Sequence, residues 1–189
     1  MSAPTKLMTF AEFRALPDDG NRYELIDGVL VVPPSPSPLH NRVAGRLYWM
    51  IGEYLQPLRR KDFLFFAPLD VRLTEFRAVQ PDLLYVNPDR PGGLTSGYVA
   101  GVPDLVVEVL SPSNRSHDRV TKFGFYAEAG VQEYWIVDPF AETVTLYVLT
   151  EGRYVERPIE DGIARSVVLP GLEVDLDALF ANLYQGFSG

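Results

Sequence analysis

The sequence contains no cysteine. That excludes disulfides, thiolate metal sites, iron–sulfur clusters and a cysteine nucleophile. Histidine is nearly absent too, with only His40 and His117, so a zinc centre built from several imidazoles is not expected. Long apolar runs are missing. The longest, Leu47 to Ile51 and Phe63 to Ala67, fall far short of the roughly 20 residues that cross a bilayer. The opening Met1-Ser2-Ala3-Pro4-Thr5-Lys6 leads into no apolar segment of signal-peptide type, so the expectation is a soluble, cytoplasmic protein. There is no G-x-S-x-G elbow, P-loop, G-x-G-x-x-G or H-E-x-x-H pattern. Basic charge is scarce, with 17 Lys+Arg against 25 Asp+Glu and a net charge of −8. Most of the imbalance lies in residues 138–189, which hold three basic and nine acidic side chains. This argues against a protein that coats nucleic acid without specificity, but leaves room for a local phosphate-binding face in the first 137 residues.

What is present is ordinary globular composition, 189 residues with 47% apolar. That is enough for a core and is read as one domain spanning 1–189. Thr9 and Glu12 form a capping box before a short helix through Leu16. Tyr23–Ile26 and Val29–Val32 flank Asp27-Gly28, a strong hairpin signal. After a proline-rich loop, Ser37-Pro38 is a good helix start, and Leu39, Val43, Leu47, Ile51, Leu55 and Leu58 recur at helical spacing towards Arg59. Strands are expected at Phe63–Ala67, Leu69–Leu73, Asp82–Val86, Asp104–Leu110, Tyr134–Val137 and Thr143–Leu149, with weaker signals at Arg153–Glu156 and Arg165–Leu169. A loop covers Asn87–Gly101, a helix runs from the cap Ser116 to Ala129, and a last short helix runs from Asp175 to Leu183. This order implies an α/β (α+β) fold, a central mixed sheet flanked by helices.

Three polar residues stand out. Glu108 lies inside Leu105-Val106-Val107-Glu108-Val109-Leu110. A carboxylate there is paired, protonated or on a metal, because an isolated buried charge is very costly. Alternation puts Asp104, Val106, Glu108 and Leu110 on one face. The bland alternative is a carboxylate emerging at a sheet edge or meeting an arginine. Asp82 follows Pro81 at a strand rim, where it could simply cap a turn. Lys122 lies about two turns into the helix after the Glu108 strand. It can reach the carboxyl end of that strand, or pair with Asp118 along its own helix. Two carboxylates at neighbouring strand ends can hold Mg²⁺ through oxygen. Such an ion lowers the pKa of bound water and stabilises charge on phosphate oxygens, while a nearby lysine orients the attacking water or stabilises developing charge.

Pro81-Asp82, Glu108 and Lys122 resemble the PD-(D/E)xK nuclease superfamily. The surrounding text is more specific: Tyr23-Glu24-Leu25-Ile26-Asp27-Gly28, His40, Gln80-Pro81-Asp82-Leu83, Pro103 to Ser113, Asp118 with Lys122, and Glu133-Tyr134-Trp135-Ile136-Val137-Asp138-Pro139. In this order they resemble the Uma-type restriction endonuclease branch of bacteria, from Thr9 to Leu179. The resemblance implies a restriction-endonuclease-like fold and a divalent metal, Mg²⁺ (or Mn²⁺), on Asp82, Glu108 and the backbone carbonyl of Val109. The superfamily lysine two residues after the glutamate is here Leu110. Lys122 then supplies the amine from the following helix, a migration the Uma branch shares. Glu24 matches an acidic position of the family and is read as a further ligand or water holder, against an exposed strand glutamate. His40 is read as a phosphate contact or proton carrier, against a ring bonded to backbone at a helix start.

Arg42, Arg46, Arg115 and Arg119 are either phosphate contacts or solvated charge. Arg59-Arg60-Lys61 complements a helix dipole, and His117 beside Asp118 is read as surface. The expected activity is Mg²⁺-dependent hydrolysis of DNA phosphodiester bonds. A homodimer is a candidate assembly, because two sites would serve two strands. Two other readings compete: a catalytically silent nuclease-fold module that binds nucleic acid or a protein, and an assembly protein whose polar core is only a buried network.

Overall fold

The near-continuous apolar run around Val107 becomes the centre of the molecule, β7 (Leu105–Val109), with every residue buried. A computed structural model describes residues 6–89, 93–111 and 117–187, and for 117–120 the backbone alone. Six strands make the main sheet, in the order β10 (Arg153–Arg157), β9 (Thr143–Thr150), β8 (Glu133–Asp138), β7, β6 (Leu83–Tyr85) and β3 (Leu64–Phe66). Only β7 and β8 run parallel, because the helix α3 (His117–Ala129) carries the chain back between them. The other pairs are antiparallel. A chain with one crossover helix among hairpins gives the mixed sheet that the element order implied.

A second, four-stranded antiparallel sheet runs β2 (Val29–Val31), β1 (Glu24–Ile26), β5 (Arg77–Val79) and β4 (Val71–Thr74). The β1–β2 turn is the expected tight hairpin: Asp27 and Gly28 both take positive φ, 49° and 78°. The strands are therefore divided between sheets rather than gathered in one. Val71 and Val79 of this smaller sheet share an apolar cluster with Val106, Leu110 and Tyr126, so it packs on the same side of the main sheet as α3. The other side holds α2 (Pro38–Leu55). Its Val43, Leu47, Ile51 and Leu55 are fully buried against Leu83, Val107, Trp135 and Val137. Beneath α2 lie the two-stranded sheet β11 (Ile163–Arg165) with β12 (Glu173–Asp175) and the short α4 (Leu176–Phe180). The helix α1 (Phe10–Arg14) closes the smaller sheet with Phe10 and Phe13, and its capping box is formed by Thr9 and Glu12.

Several boundaries differ from expectation. α2 stops at Leu55 rather than Arg59, because Pro57 has no N–H to continue the ladder and Arg59 turns to φ 56°. β5 is an addition to the expected strands, since three residues carry too little alternation to read. The strand expected at Arg165–Leu169 is shorter and earlier. After Arg165 the chain turns, pinned by the buried Glu133, which accepts the backbone N–H groups of Val167 and Val168 at 2.6 and 2.8 Å. β12 precedes α4, whose N-cap is Asp175 as expected, but the helix ends at Phe180 rather than Leu183. Arg42 and Arg46 are not free for phosphate: they donate to the carbonyls of Leu183, Gln185 and Leu179 and tie α2 to the C-terminal segment. Arg115 and the side chains of His117, Asp118 and Arg119 lie outside the described residues. No helix among the described residues is long and apolar enough to cross a membrane.

Candidate active site

Each site residue is placed by a local rule. Ser37 caps α2 by accepting the His40 N–H at 3.1 Å, and this sets His40 one turn into the helix with its ring on the sheet rim. Asp82 stands between Pro81 and β6. The β6–β7 ladder pairs Leu83 with Val107 and goes no further, so the N–H of Val109 has no strand partner on that side. The Asp82 side chain takes it, Oδ2 accepting at 2.8 Å, and the same oxygen pairs with His40 Nε2 at 3.0 Å. Glu108 shares a face with Val106 and Leu110, the face under α3. From α3, Lys122 Nζ donates to Glu108 Oε1 at 3.1 Å. Tyr126, one turn on, donates its hydroxyl to the same oxygen at 2.7 Å. Lys122 also lies 3.0 Å from Glu24 Oε1, which accepts the backbone N–H of Gln80 at 2.9 Å.

The structure thus brings Glu24, His40, Asp82, Glu108, Val109 and Lys122 around one small cavity of about 40 Å³. Glu24, Glu108 and Lys122 are each about 5% exposed. Burial, reinforced by the charges of Asp82 and Glu24, pushes Glu108 up to about 8 even though Lys122 pulls the other way. Burial also lifts Tyr126 well above the usual tyrosine value, so it stays a donor. For His40, burial opposes the charged ring, but the hydrogen bond and charge of Asp82 outweigh it and hold the ring above its ordinary value.

A divalent cation can be tested against this donor set. Asp82 and Glu108 each spend one oxygen on protein donors. Their second oxygens, Oδ1 and Oε2, take no hydrogen bond among the described residues. Asp82, Glu108 and Val109 all border a cavity with room for an ion or a water, and the donors they could offer it are hard oxygens. Among the described residues no three His, Asp or Glu side chains enclose an ion by themselves. A hydrated Mg²⁺ ion asks for no more than one or two protein carboxylates, its waters filling the other positions. The residues fit such an ion in an open, partly hydrated position.

Two residues of the constellation escape a reading of the sequence. Tyr126 carries a readable signal: it stands four residues after Lys122, so both reach down from one face of α3. Arg22 carries none, being one charge in a loop. It donates to Gln80 Oε1 at 3.1 Å and also borders the cavity.

Comparison with known proteins gives this geometry a family. The protein sll1609 of Synechocystis sp., described as uncharacterized, is 28% identical over 148 residues, covering 77% of this chain and 82% of that protein. A crystal structure of a "putative nuclease belonging to DUF820" from Anabaena variabilis superposes with a TM-score of 0.75. It covers 93% of this chain and 99% of the other at 24% identity, a likeness of fold. The model of the Uma2 family, described as "Putative restriction endonuclease", matches residues 10–178. That span contains every residue of the cavity rim, and the chain belongs to the Uma2 family, with the fold and the nuclease-like character of that family.

Proposed function

We propose that the protein is a Mg²⁺- or Mn²⁺-dependent endonuclease that hydrolyses DNA phosphodiester bonds. The observation that carries this reading is the meeting of Asp82, Glu108 and Lys122, from three distant stretches of chain, at one small polar cavity. Asp82 and Glu108 hold the cation, with the Val109 carbonyl beside them. A bound divalent ion supplies charge neutralisation and polarisation at a phosphate oxygen. Lys122 presents an ammonium to the charge that develops on the phosphate. Glu24 and Tyr126 keep the lysine and Glu108 in place. His40 fixes Asp82 and is positioned to move a proton near neutral pH. Two copies of the chain would present one site to each strand.

The test is conversion of supercoiled plasmid and labelled oligonucleotides with Mg²⁺, Mn²⁺ or EDTA. Cleavage is expected only with metal, and Glu108→Ala is expected to lower it by about 10²-fold or more. Equal cleavage by wild type and Glu108→Ala would sink the reading. One observation favours a second reading, a nuclease-fold module that binds without cutting. Glu24, Lys122 and Glu108 already satisfy one another as an ion network, and the net charge is −8. Saturable Mn²⁺ binding abolished by Asp82→Asn separates the two in favour of the enzyme.

A further inference from the structure

A second and larger cavity, of about 520 Å³, lies against the first and shares Arg22, Pro36, His40 and Asp82 with it. The remaining walls are of a different chemistry. α2 contributes Ala44, Gly45 and Tyr48, and the sheet edge contributes Phe66 from β3 and the adjoining Pro68. Phe66 is 58% exposed and meets Tyr48 edge to face at 5.1 Å. Gly45 lies mid-helix, where glycine costs about 1 kcal/mol against alanine. A Cβ there would meet nothing within 4 Å. The helix therefore gives up stability at a point where backbone crowding does not require glycine, and the space stays open. Arg22 stands at the junction of the two cavities with no carboxylate partner among the described residues.

We propose that this aromatic-walled cavity receives an unpaired nucleobase next to the scissile phosphate, so that the preferred substrate is single-stranded or locally unpaired DNA. The inference rests on the reading of Asp82 and Glu108 as the phosphodiester site and deepens it by naming the substrate class. Continuity selects the occupant. A phosphate between Asp82 and Lys122 carries a sugar and a base on either side, and the adjoining space past His40 and Asp82 is apolar and aromatic. A base offers a flat face to Phe66 and Tyr48, and Arg22 meets the phosphate that joins the two positions. A base held in a duplex is stacked and paired and cannot enter a concave pocket, so it must already be unpaired or be turned out of the helix.

The test uses a short fluorescein-labelled DNA single strand, its blunt duplex, and the duplex carrying one unpaired nucleotide. Binding is read by anisotropy in EDTA, and cleavage separately with Mn²⁺. Wild type is expected to bind the single strand about tenfold tighter than the duplex, the scale of one base stacked on an aromatic side chain. It is also expected to cut next to the unpaired nucleotide. Gly45→Leu puts a side chain into the cavity where a base would lie, and Phe66→Ala removes an exposed ring without disturbing a core. Both are expected to erase the single-strand preference and the preferred cut while keeping the Mn²⁺-induced rise in melting temperature, Gly45→Leu from a baseline about 2–4 °C higher because a mid-helix glycine is lost. Equal binding of single strand and duplex, or a preference that survives both variants, overturns the inference. In that case metal-dependent cleavage lost in Glu108→Ala would leave the catalytic reading standing. If no DNA is cut with any metal but the preference is real and lost in both variants, the catalytic reading fails and the base pocket stands. Glu108→Gln, at a residue that borders only the smaller cavity, is expected to abolish cleavage and keep the single-strand preference.

Discussion

Replacing Glu108 by glutamine should change not only how stable the metal-free protein is but how its stability depends on pH. The carboxyl is raised from 4.5 to about 8 because it is buried. At about 1.4 kcal/mol per pH unit, keeping it ionised above pH 8 costs the fold about 5 kcal/mol, a ceiling that any water entering the cavity reduces. The sign follows from proton counting. Between pH 4.5 and about 8 the folded state holds a proton that the unfolded state has released. Folding stability contributed by this group therefore falls as pH rises through that window and is level outside it.

Glutamine has nearly the same shape and keeps an oxygen for Tyr126 and Lys122, but it does not titrate. In EDTA, Glu108→Gln should match wild type near about pH 5 and exceed it increasingly towards about pH 9, by up to about 5 kcal/mol. For a chain of this length that is a rise in Tm of about 10–20 °C. Urea unfolding at a series of pH values reads the difference directly, and other groups cancel because both proteins carry them. Saturating Mg²⁺ should reverse the order at high pH, since only the wild type gains a charged ligand from losing its proton. Parallel stability curves for the two proteins across this range, with and without Mg²⁺, would show that Glu108 is not a buried, proton-holding carboxyl at a cation site.

Lys122→Met leaves Glu24 and Glu108 buried without their shared ammonium. It should lower metal-free stability near pH 8 by about 3–5 kcal/mol in urea unfolding, with part of the loss restored by Mg²⁺ and cleavage abolished. His40→Asn should cost about 1.5–3 kcal/mol near pH 6 and less near pH 9. A raised histidine contributes fully below its unfolded pKa and loses that contribution as pH climbs through the folded one, so an equal cost at both pH values would refute the His40–Asp82 charge pair. Glu133→Ala removes the fully buried carboxylate that accepts Trp135 Nε1 at 2.6 Å and the N–H groups of Val167 and Val168. It should destabilise by at least about 3 kcal/mol while leaving the pH of the Mg²⁺-dependent Tm shift where it was, because it lies far along the sheet from the cavity.

Elements that bury a repeating stripe are legible in the sequence. Residues 39, 43, 47, 51 and 55 of α2 repeat at helical spacing because that helix packs on a flat sheet with one face only, and all five are buried. β7 reads as doubly covered because it is. β5 and β12 are not legible because each is only three residues long, too short to show a period: Arg77-Ala78-Val79 buries its last two residues in a row, and of Glu173-Val174-Asp175 only Val174 is inside. Their pairing is decided by what the rest of the chain leaves beside them. The site divides in the same way. Glu108 can be singled out because a lone acid in an apolar run conflicts with its neighbours. Arg22 and the cavity between α2 and β3 cannot, because Ala44, Gly45, Tyr48 and Phe66 are individually ordinary and acquire meaning only when the helix and the strand edge face one another.

The position of the amine follows from the same packing. Two residues after Glu108, on the same face, Leu110 is 3% exposed among Val106, Tyr126 and Val131. A lysine there would have to sink its ammonium into the apolar layer that seats α3, at a cost of several kcal/mol without a partner. α3 lies directly over that face, so a side chain hanging from it reaches Glu108 from above, and Lys122 does so while gaining Glu24 as a second counter-charge. On the proposed reading the site needs an ammonium within hydrogen-bond reach of the carboxylate, and any element covering the face can deliver it. Moving the lysine to the helix lets position 110 serve the core and position 122 serve the cavity. It also makes the amine depend on how α3 is seated, and the seating is shared by Tyr126, bonded to the same glutamate oxygen one turn further on, and by Phe123, packed on Tyr134, Tyr147 and Tyr154.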